Sequence, residues 1–240
     1  MILKYIKTFL YFLAYLFHRN YDSKVVYYHD VSKKYTSMGT DIELMKMHFS
    51  LIRESGYEIV PCMSKRKKQV MICFDDGWAG IYDNKDYFVE LGIKPTIFIA
   101  VDLIGKDGYL TVEQIKELEK SGFIFECHTW SHQDLTQFEE AELQHELLDS
   151  KRQLESVFLH PFNAICYPMG RFSELVYETA KNSGYTKQYS SVAGGYYDLE
   201  HRGVICRLCA QFSSPSEFKW MLNSTSRFFR KKYLRQQFVN

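Results

Sequence analysis

The sequence has almost no excess of either charge. Thirty lysines and arginines stand against 29 aspartates and glutamates, a formal net charge of +1 over 240 residues. A chain so balanced has no global field to gather a polyanion, which sets nucleic acid aside as a partner. Long hydrophobic runs are missing too. The first 17 residues are apolar, but Lys4 and Lys7 interrupt them, and the uncharged stretch Thr8–Phe17 is ten residues long. A bilayer span needs about 20. No small-x-small cleavage site follows that stretch, since the chain continues Ala14-Tyr15-Leu16-Phe17-His18-Arg19, so a cleaved signal peptide is not expected. No second-domain linker interrupts the chain, and its length suffices for one α/β core. Cysteine is present six times, and Cys73, Cys127, Cys166 and Cys206 lie in or at the ends of apolar runs, as buried hydrophobes in a reducing compartment do. Cys206 and Cys209 have CxxC spacing inside a strand-like run, where positions three apart face opposite ways, so that pair predicts neither a zinc nor a redox site.

Aromatic residues make up 16% of the chain, a share that suits either a carbohydrate-facing cleft or a plain core. Strand-like and helix-like runs alternate. Strands are predicted at Val25–Tyr28, Tyr57–Val60, Val70–Phe74, Thr96–Val101, Phe123–Cys127, Ala164–Tyr167, Thr186–Ser190 and Val204–Ala210. Helices are predicted over 42–55 behind Asp41, over 81–91, over 112–121 behind Thr111, over 139–158, behind Ser173, and from Pro215 to Leu222. Such alternation predicts a mostly parallel sheet covered by helices, with seven or eight strands in a β/α barrel, complete or incomplete, rather than an open sheet. The site is then expected at the C-terminal ends of the strands.

Two motifs stand at such ends: Phe74-Asp75-Asp76-Gly77 after Val70–Phe74, and His128-Thr129-Trp130-Ser131-His132 after Phe123–Cys127. Successive side chains after a strand point in different directions, so Asp75 and Asp76 cannot share a role. One carboxylate can bind a metal while the other stays free as a base. His128 and His132 reach one ion if their segment turns helically. Each motif has a bland reading, a capped turn or a chance histidine pair. Together they supply a three-ligand, open-site metal centre with a spare carboxylate.

These residues resemble the signature of the polysaccharide deacetylases, the NodB-homology esterase group that acts on chitin, peptidoglycan and poly-N-acetylglucosamine. The resemblance runs from about Val25 to Leu222. It implies Asp75 as catalytic base, and Asp76, His128 and His132 as ligands of one divalent ion. Zinc comes first, with cobalt, nickel, manganese or iron also admitted by a mixed oxygen and nitrogen set. Cys73 stands where the family usually has Thr. The family's Arg-x-Pro-Tyr-Gly reads Cys166-Tyr167-Pro168-Met169-Gly170 here, so the arginine that tunes the base is missing, while the Met169 N–H remains to contact the oxyanion. The late Leu-x-His acid motif is absent, and His201 has the wrong context. Tyr28-His29 instead resembles the early motif of the circularly permuted poly-N-acetylglucosamine deacetylases, which implies His29 as general acid. Tyr167, Trp78 and Arg207 complete the residues assigned to the oxyanion and substrate side.

The implied activity is hydrolysis of N-acetyl groups on an N-acetylhexosamine-containing polysaccharide of a capsule, biofilm or cell envelope. A deacylase of a lipid-linked sugar at the cytoplasmic membrane face and an inactive glycan-binding module are the alternatives. Domain limits are expected at 1–20 for an apolar helix, 24–223 for the deacetylase domain and 224–240 for a basic tail. At helical spacing Ile2, Ile6, Phe9, Leu10, Leu13, Leu16 and Phe17 share one face, and Lys4, Lys7, Tyr11 and His18 the other. The helix either lies in a membrane interface or docks on the domain. With the basic and aromatic segment Arg227–Arg235, it suggests peripheral membrane contact through both termini. The expected location is cytoplasmic and peripheral on the membrane, or else anchored facing outside. Oligomeric state is not legible.

Overall fold

The structure is a computed structural model describing residues 2–225 and 227–239, with side chains for all of these except 2–5, 7 and 227–229. The positions expected for Ile2, Lys4, Lys7, Arg227, Phe228 and Phe229 therefore lie outside the described side chains.

Nine strand segments occur among the described residues: β1 (Lys24–Tyr28), β2 (Glu58–Ile59), β3 (Gln69–Phe74), β4 (Thr96–Ile99), β5 (Ile124–Cys127), β6 (Ala164–Cys166), β7 (Lys187–Tyr189), β8 (Val204–Ile205) and β9 (Leu208–Cys209). They form one sheet in the order β8-β7-β6-β5-β4-β3-β1-β9, with β2 beside β3. Every pairing is parallel. Strands β1, β3, β4 and β6 are buried at every position, as parallel strands under helices on one side and an interior on the other must be.

The single strand expected over Val204–Ala210 is instead split at Cys206-Arg207. Its first half pairs with β7 and its second with β1. One short run of chain thus serves both ends of the sheet and draws it into an incomplete barrel. The strand at 57–60 shortens to two residues. The helix expected over 81–91 breaks at Asn84 into Gly80–Asp83 and Lys85–Glu90. The long helix over 139–158 contains a π-helical turn, His145–Asp149, between Glu140–Gln144 and Ser150–Phe158. Asp41, Thr111 and Ser173 cap their helices as expected, each side chain accepting a backbone N–H of the first turn.

Strand alternation sorts the interior into two clusters. Val26, Tyr28, Val70, Ile72 and Phe74 face the helices. Val25, Tyr27, Met71, Cys73, Cys166 and Ile205 fill the barrel itself. Continuing that parity past the strand ends carries His29, Asp75 and Arg207 into the barrel mouth.

The helix Ile2–Phe17 docks on the domain, but not by its apolar face. Tyr11 and Ala14 are buried, and Phe12 packs on Trp220 with ring centroids 5.1 Å apart. The Ile6, Phe9, Leu10, Leu16 and Phe17 side is exposed. Residues after 223 fold as well: the helix Arg227–Gln237 sets Tyr233, Leu234 and then Phe238 against the core.

Candidate active site

Asp75 and Asp76 follow β3 and diverge, because Asp76 takes a left-handed φ of 72° and turns the chain. Gly77 and Gly80 make the turn possible. A Cβ on Gly77 would lie 2.9 Å from the Ile99 side chain, and one on Gly80 would lie 2.1 Å from Asp30 Oδ1.

Asp75 points inward, 4% exposed, to the guanidinium of Arg207, 1% exposed. Arg207 Nη1 and Nη2 donate to its two oxygens at 2.7 and 2.8 Å. Burial works to raise the Asp75 carboxyl, but the charge and hydrogen bonds of Arg207 outweigh it and hold the group below the usual carboxylate range. Arg207 is itself fixed by its Nε donating to the Ser190 carbonyl at 3.2 Å and by stacking over Tyr27 at 4.2 Å.

Asp76 points to the histidine pair. Its Oδ1 lies 3.4 Å from His128 Nε2 and 3.0 Å from His132 Nε2. Its Oδ2 accepts the Trp78 Nε1–H at 3.1 Å. Trp78 in turn stacks on Tyr109, centroids 4.1 Å apart. The His128–His132 segment does not turn helically, as its spacing suggested. Thr129 and His132 adopt left-handed φ values of 73° and 59°, and these bring the imidazoles to a centroid separation of 4.9 Å. Glu146, buried on the π-helical turn, holds this loop: one oxygen accepts the N–H groups of Trp130 and Ser131, each at 3.0 Å, and the other accepts the Ser131 hydroxyl at 2.5 Å.

The donor set fits a cation. His128 Nδ1 lies 2.6 Å from the Cys166 carbonyl oxygen, which can only accept, so Nδ1 donates there and Nε2 is the ring nitrogen left facing Asp76. Asp76 Oδ1 is buried with no hydrogen-bond partner. An ionised oxygen left orphaned between two imidazole nitrogens is where an ion belongs. A second grouping, Asp75, His128 and Cys166, also lies close together. It fits less well, because Arg207 already occupies both Asp75 oxygens and the Cys166 thiol is pushed well up by burial.

His29 lies beside Asp75. The β1–β3 register pairs Tyr28 with Phe74, and the Asp75 N–H donates to the Tyr28 carbonyl at 3.0 Å. Gln211 Oε1 holds His29 Nδ1. Met169, three residues beyond the Cys166 carbonyl that meets His128, has a φ of 57° and is 60% exposed.

Residues 63–187, just over half of the chain, match the polysaccharide deacetylase family. This chain belongs to that family. YxkH of Bacillus subtilis (strain 168), which carries the same family name, is 30% identical over 172 residues, 67% of this chain and 61% of YxkH. An uncharacterized 30.6 kDa protein of Geobacillus stearothermophilus is 26% identical over 136 residues, 48% of its length. The chain thus spans about half to three fifths of the curated relatives it matches. Among solved structures, the Streptococcus pyogenes deacetylase PplD in complex with acetate superposes with a TM-score of 0.73 at 21% identity, covering 84% of this chain and 98% of PplD. IcaB from Ammonifex degensii gives 0.74 at 16%, covering 85% and 98%. At these identities the likeness concerns the fold, and it is that of the NodB-type barrel.

Against this polysaccharide deacetylase framework, two sequence expectations need correction. Tyr167 cannot touch a substrate through its side chain, which is fully buried with its hydroxyl on Gln188. Arg207 does not face the substrate side either, because both ends of its guanidinium are spent on Asp75. The same contact removes the apparent gap in the third motif. Cys166 stands where the motif arginine would be, and a guanidinium reaches the carboxylate from the barrel seam instead. Glu146 and Gln211 were missed. Neither had a local signal: Glu146 reads as one acid among several on a helix, and Gln211 as the end of a strand.

Proposed function

We propose that this polysaccharide deacetylase family member hydrolyses N-acetyl groups of an N-acetylhexosamine-containing glycan, using one divalent ion held by Asp76, His128 and His132. The observation that carries the reading is the division of labour between adjacent carboxylates. Asp76 is aimed at two imidazole nitrogens, and Asp75 is paired with Arg207 and kept ionised.

A divalent ion in that triad supplies Lewis acidity toward the amide carbonyl and lowers the pKa of water beside it. Asp75 accepts the proton of the attacking water, and Arg207 keeps the carboxylate oriented and ionised at neutral pH. The Met169 N–H donates to the oxygen on which negative charge develops. His29 donates a proton to the departing amine: Gln211 Oε1 takes its Nδ1–H, and Nε2 carries the transferable one. The products are acetate and a free amino sugar. Trp78 and Tyr109 form an aromatic wall beside the ligand triad, suited to the apolar face of a sugar ring. The early position of His29 favours the permuted subgroup of poly-N-acetylglucosamine deacetylases, with zinc as the first choice of ion.

The test is acetate release from N-acetylglucosamine oligomers by metal-loaded protein, with a chelator control. Acetate that appears with zinc and stops on chelation supports the reading. Loaded protein that binds the oligomers and releases none refutes it and favours a glycan-binding role.

A further inference from the structure

We propose that the outward face of the helix Ile2–Phe17 docks this protein flat on the surface of an anionic phospholipid bilayer. Twelve large hydrophobic side chains are exposed among the described residues, and five of them, Ile6, Phe9, Leu10, Leu16 and Phe17, are on this one helix. At 100° per residue they fall within an arc of about 120°. Phe17 is 74% exposed and Phe9 58%. The protein's own core does not cover this stripe, because the helix is held from behind by Tyr11, Ala14 and the Phe12–Trp220 contact. No helix among the described residues is long and apolar enough to cross a membrane, so the geometry is that of a helix lying in the interface.

Charge selects the occupant. Neither this helix nor the helix Arg227–Gln237 contains an acidic residue. The two adjoin: Arg19 bridges to Ser224, the Thr225 N–H donates to the His18 carbonyl at 3.2 Å, and Tyr233 acts electrostatically on Tyr11. Arg19, two residues beyond Phe17, is exposed, and so are Lys231, Lys232 and Arg235 on the second helix. Cations bordering an apolar face complement anionic headgroups over acyl chains. A second copy of the chain fits less well, since a two-fold contact through this face would set cations against cations.

The attachment also fixes the attitude of the site. The helix Pro215–Leu222 follows β9 and returns from the strand ends. The N-terminal helix runs beside it in the same sense, with Thr8 against Glu217, Phe12 against Trp220 and Arg19 against Ser224. It therefore descends the flank of the barrel from the rim that carries the site. Docked flat, it leaves the mouth open sideways along the membrane plane.

The experiment is co-sedimentation of the full chain with vesicles rich in phosphatidylglycerol and with vesicles of phosphatidylcholine alone. Wild type is expected to pellet with the anionic vesicles and to be released by salt. Phe9→Asp/Phe17→Asp should lower the partition coefficient by more than about tenfold. Lys231→Glu/Lys232→Glu should lower it by a similar factor and flatten its salt dependence. Sedimentation velocity without lipid should show the same species for wild type and variants. Wild type that stays in the supernatant with anionic vesicles overturns the proposal. So does a dimer that the aspartate variant dissolves without any vesicle binding. Should the aspartate variant fail to fold, the glutamate variant decides alone, and an unchanged partition there overturns the proposal.

Discussion

Substituting Arg207 by Met removes the cation that compensates Asp75 and leaves its shape largely in place. Asp75 is 4% exposed and Arg207 1%, so water cannot replace the two hydrogen bonds of 2.7 and 2.8 Å. Breaking a buried pair from one side costs about 3–5 kcal/mol, because the surviving charge stays buried without a partner. In a domain of this size each kcal/mol is worth about 2–4 °C, so the midpoint of thermal unfolding should fall by roughly 10 °C. The double variant Asp75→Asn/Arg207→Met removes both charges, and it should be more stable than the sum of the two single losses by about 2 kcal/mol or more. Arg207→Lys, with the charge kept and the fork lost, should lie between wild type and Met. Thermal and urea unfolding of the four proteins, at equal metal content, measure this cycle. A midpoint for Arg207→Met within about 2 °C of wild type, or strict additivity in the double variant, would refute the argument that Arg207 compensates the buried Asp75 carboxylate.

Three further outcomes follow from the geometry. His132→Ala removes one of the nitrogens around Asp76 Oδ1, and elemental analysis should find a metal affinity at least about tenfold weaker. Glu146→Ala strips the Trp130 and Ser131 N–H groups of their acceptor; it should cost about 3 kcal/mol in urea unfolding and weaken metal binding, and an unchanged affinity would mean the loop needs no such anchor. Glu126, whose carboxyl burial pushes up to about 7, titrates in the unfolded chain near its ordinary value of about 4.3. The protonated form is favoured in the fold, so this group's contribution is fully present below about pH 4 and declines as pH rises to 7, by up to about 3 kcal/mol. Glu126→Gln should therefore raise the unfolding midpoint at pH 8 and leave it nearly unchanged at pH 4.

The parts of the site that lie within a few residues of one another were legible in the sequence. Asp75-Asp76 and the histidine pair are local motifs, and the apolar runs before them mark strand ends. Caps at Asp41, Thr111 and Ser173 were legible for the same reason, since an N-cap needs only its own first turn. What escaped depends on contacts across the chain. Arg207 meets Asp75 over a separation of 132 residues, and only because one run of chain closes the sheet on both β7 and β1. Nothing near Cys206-Arg207-Leu208 announces that register. The π-helical turn that carries Glu146 is invisible to periodicity, because one extra residue hardly shifts an amphipathic pattern. Which face of the N-terminal helix met the domain was decided by Trp220 and Glu217, far away in sequence.

Asp75 is proposed as the base of a hydrolytic centre whose ion is held by other residues. Asp75→Asn tests it most directly, with acetate release from N-acetylglucosamine oligomers and metal content measured on the same sample. Metal content equal to wild type is expected, since Asp76 rather than Asp75 is aimed at both imidazole nitrogens, with turnover reduced by about 10²–10⁴-fold. Wild-type turnover in a fully loaded Asp75→Asn protein would contradict it.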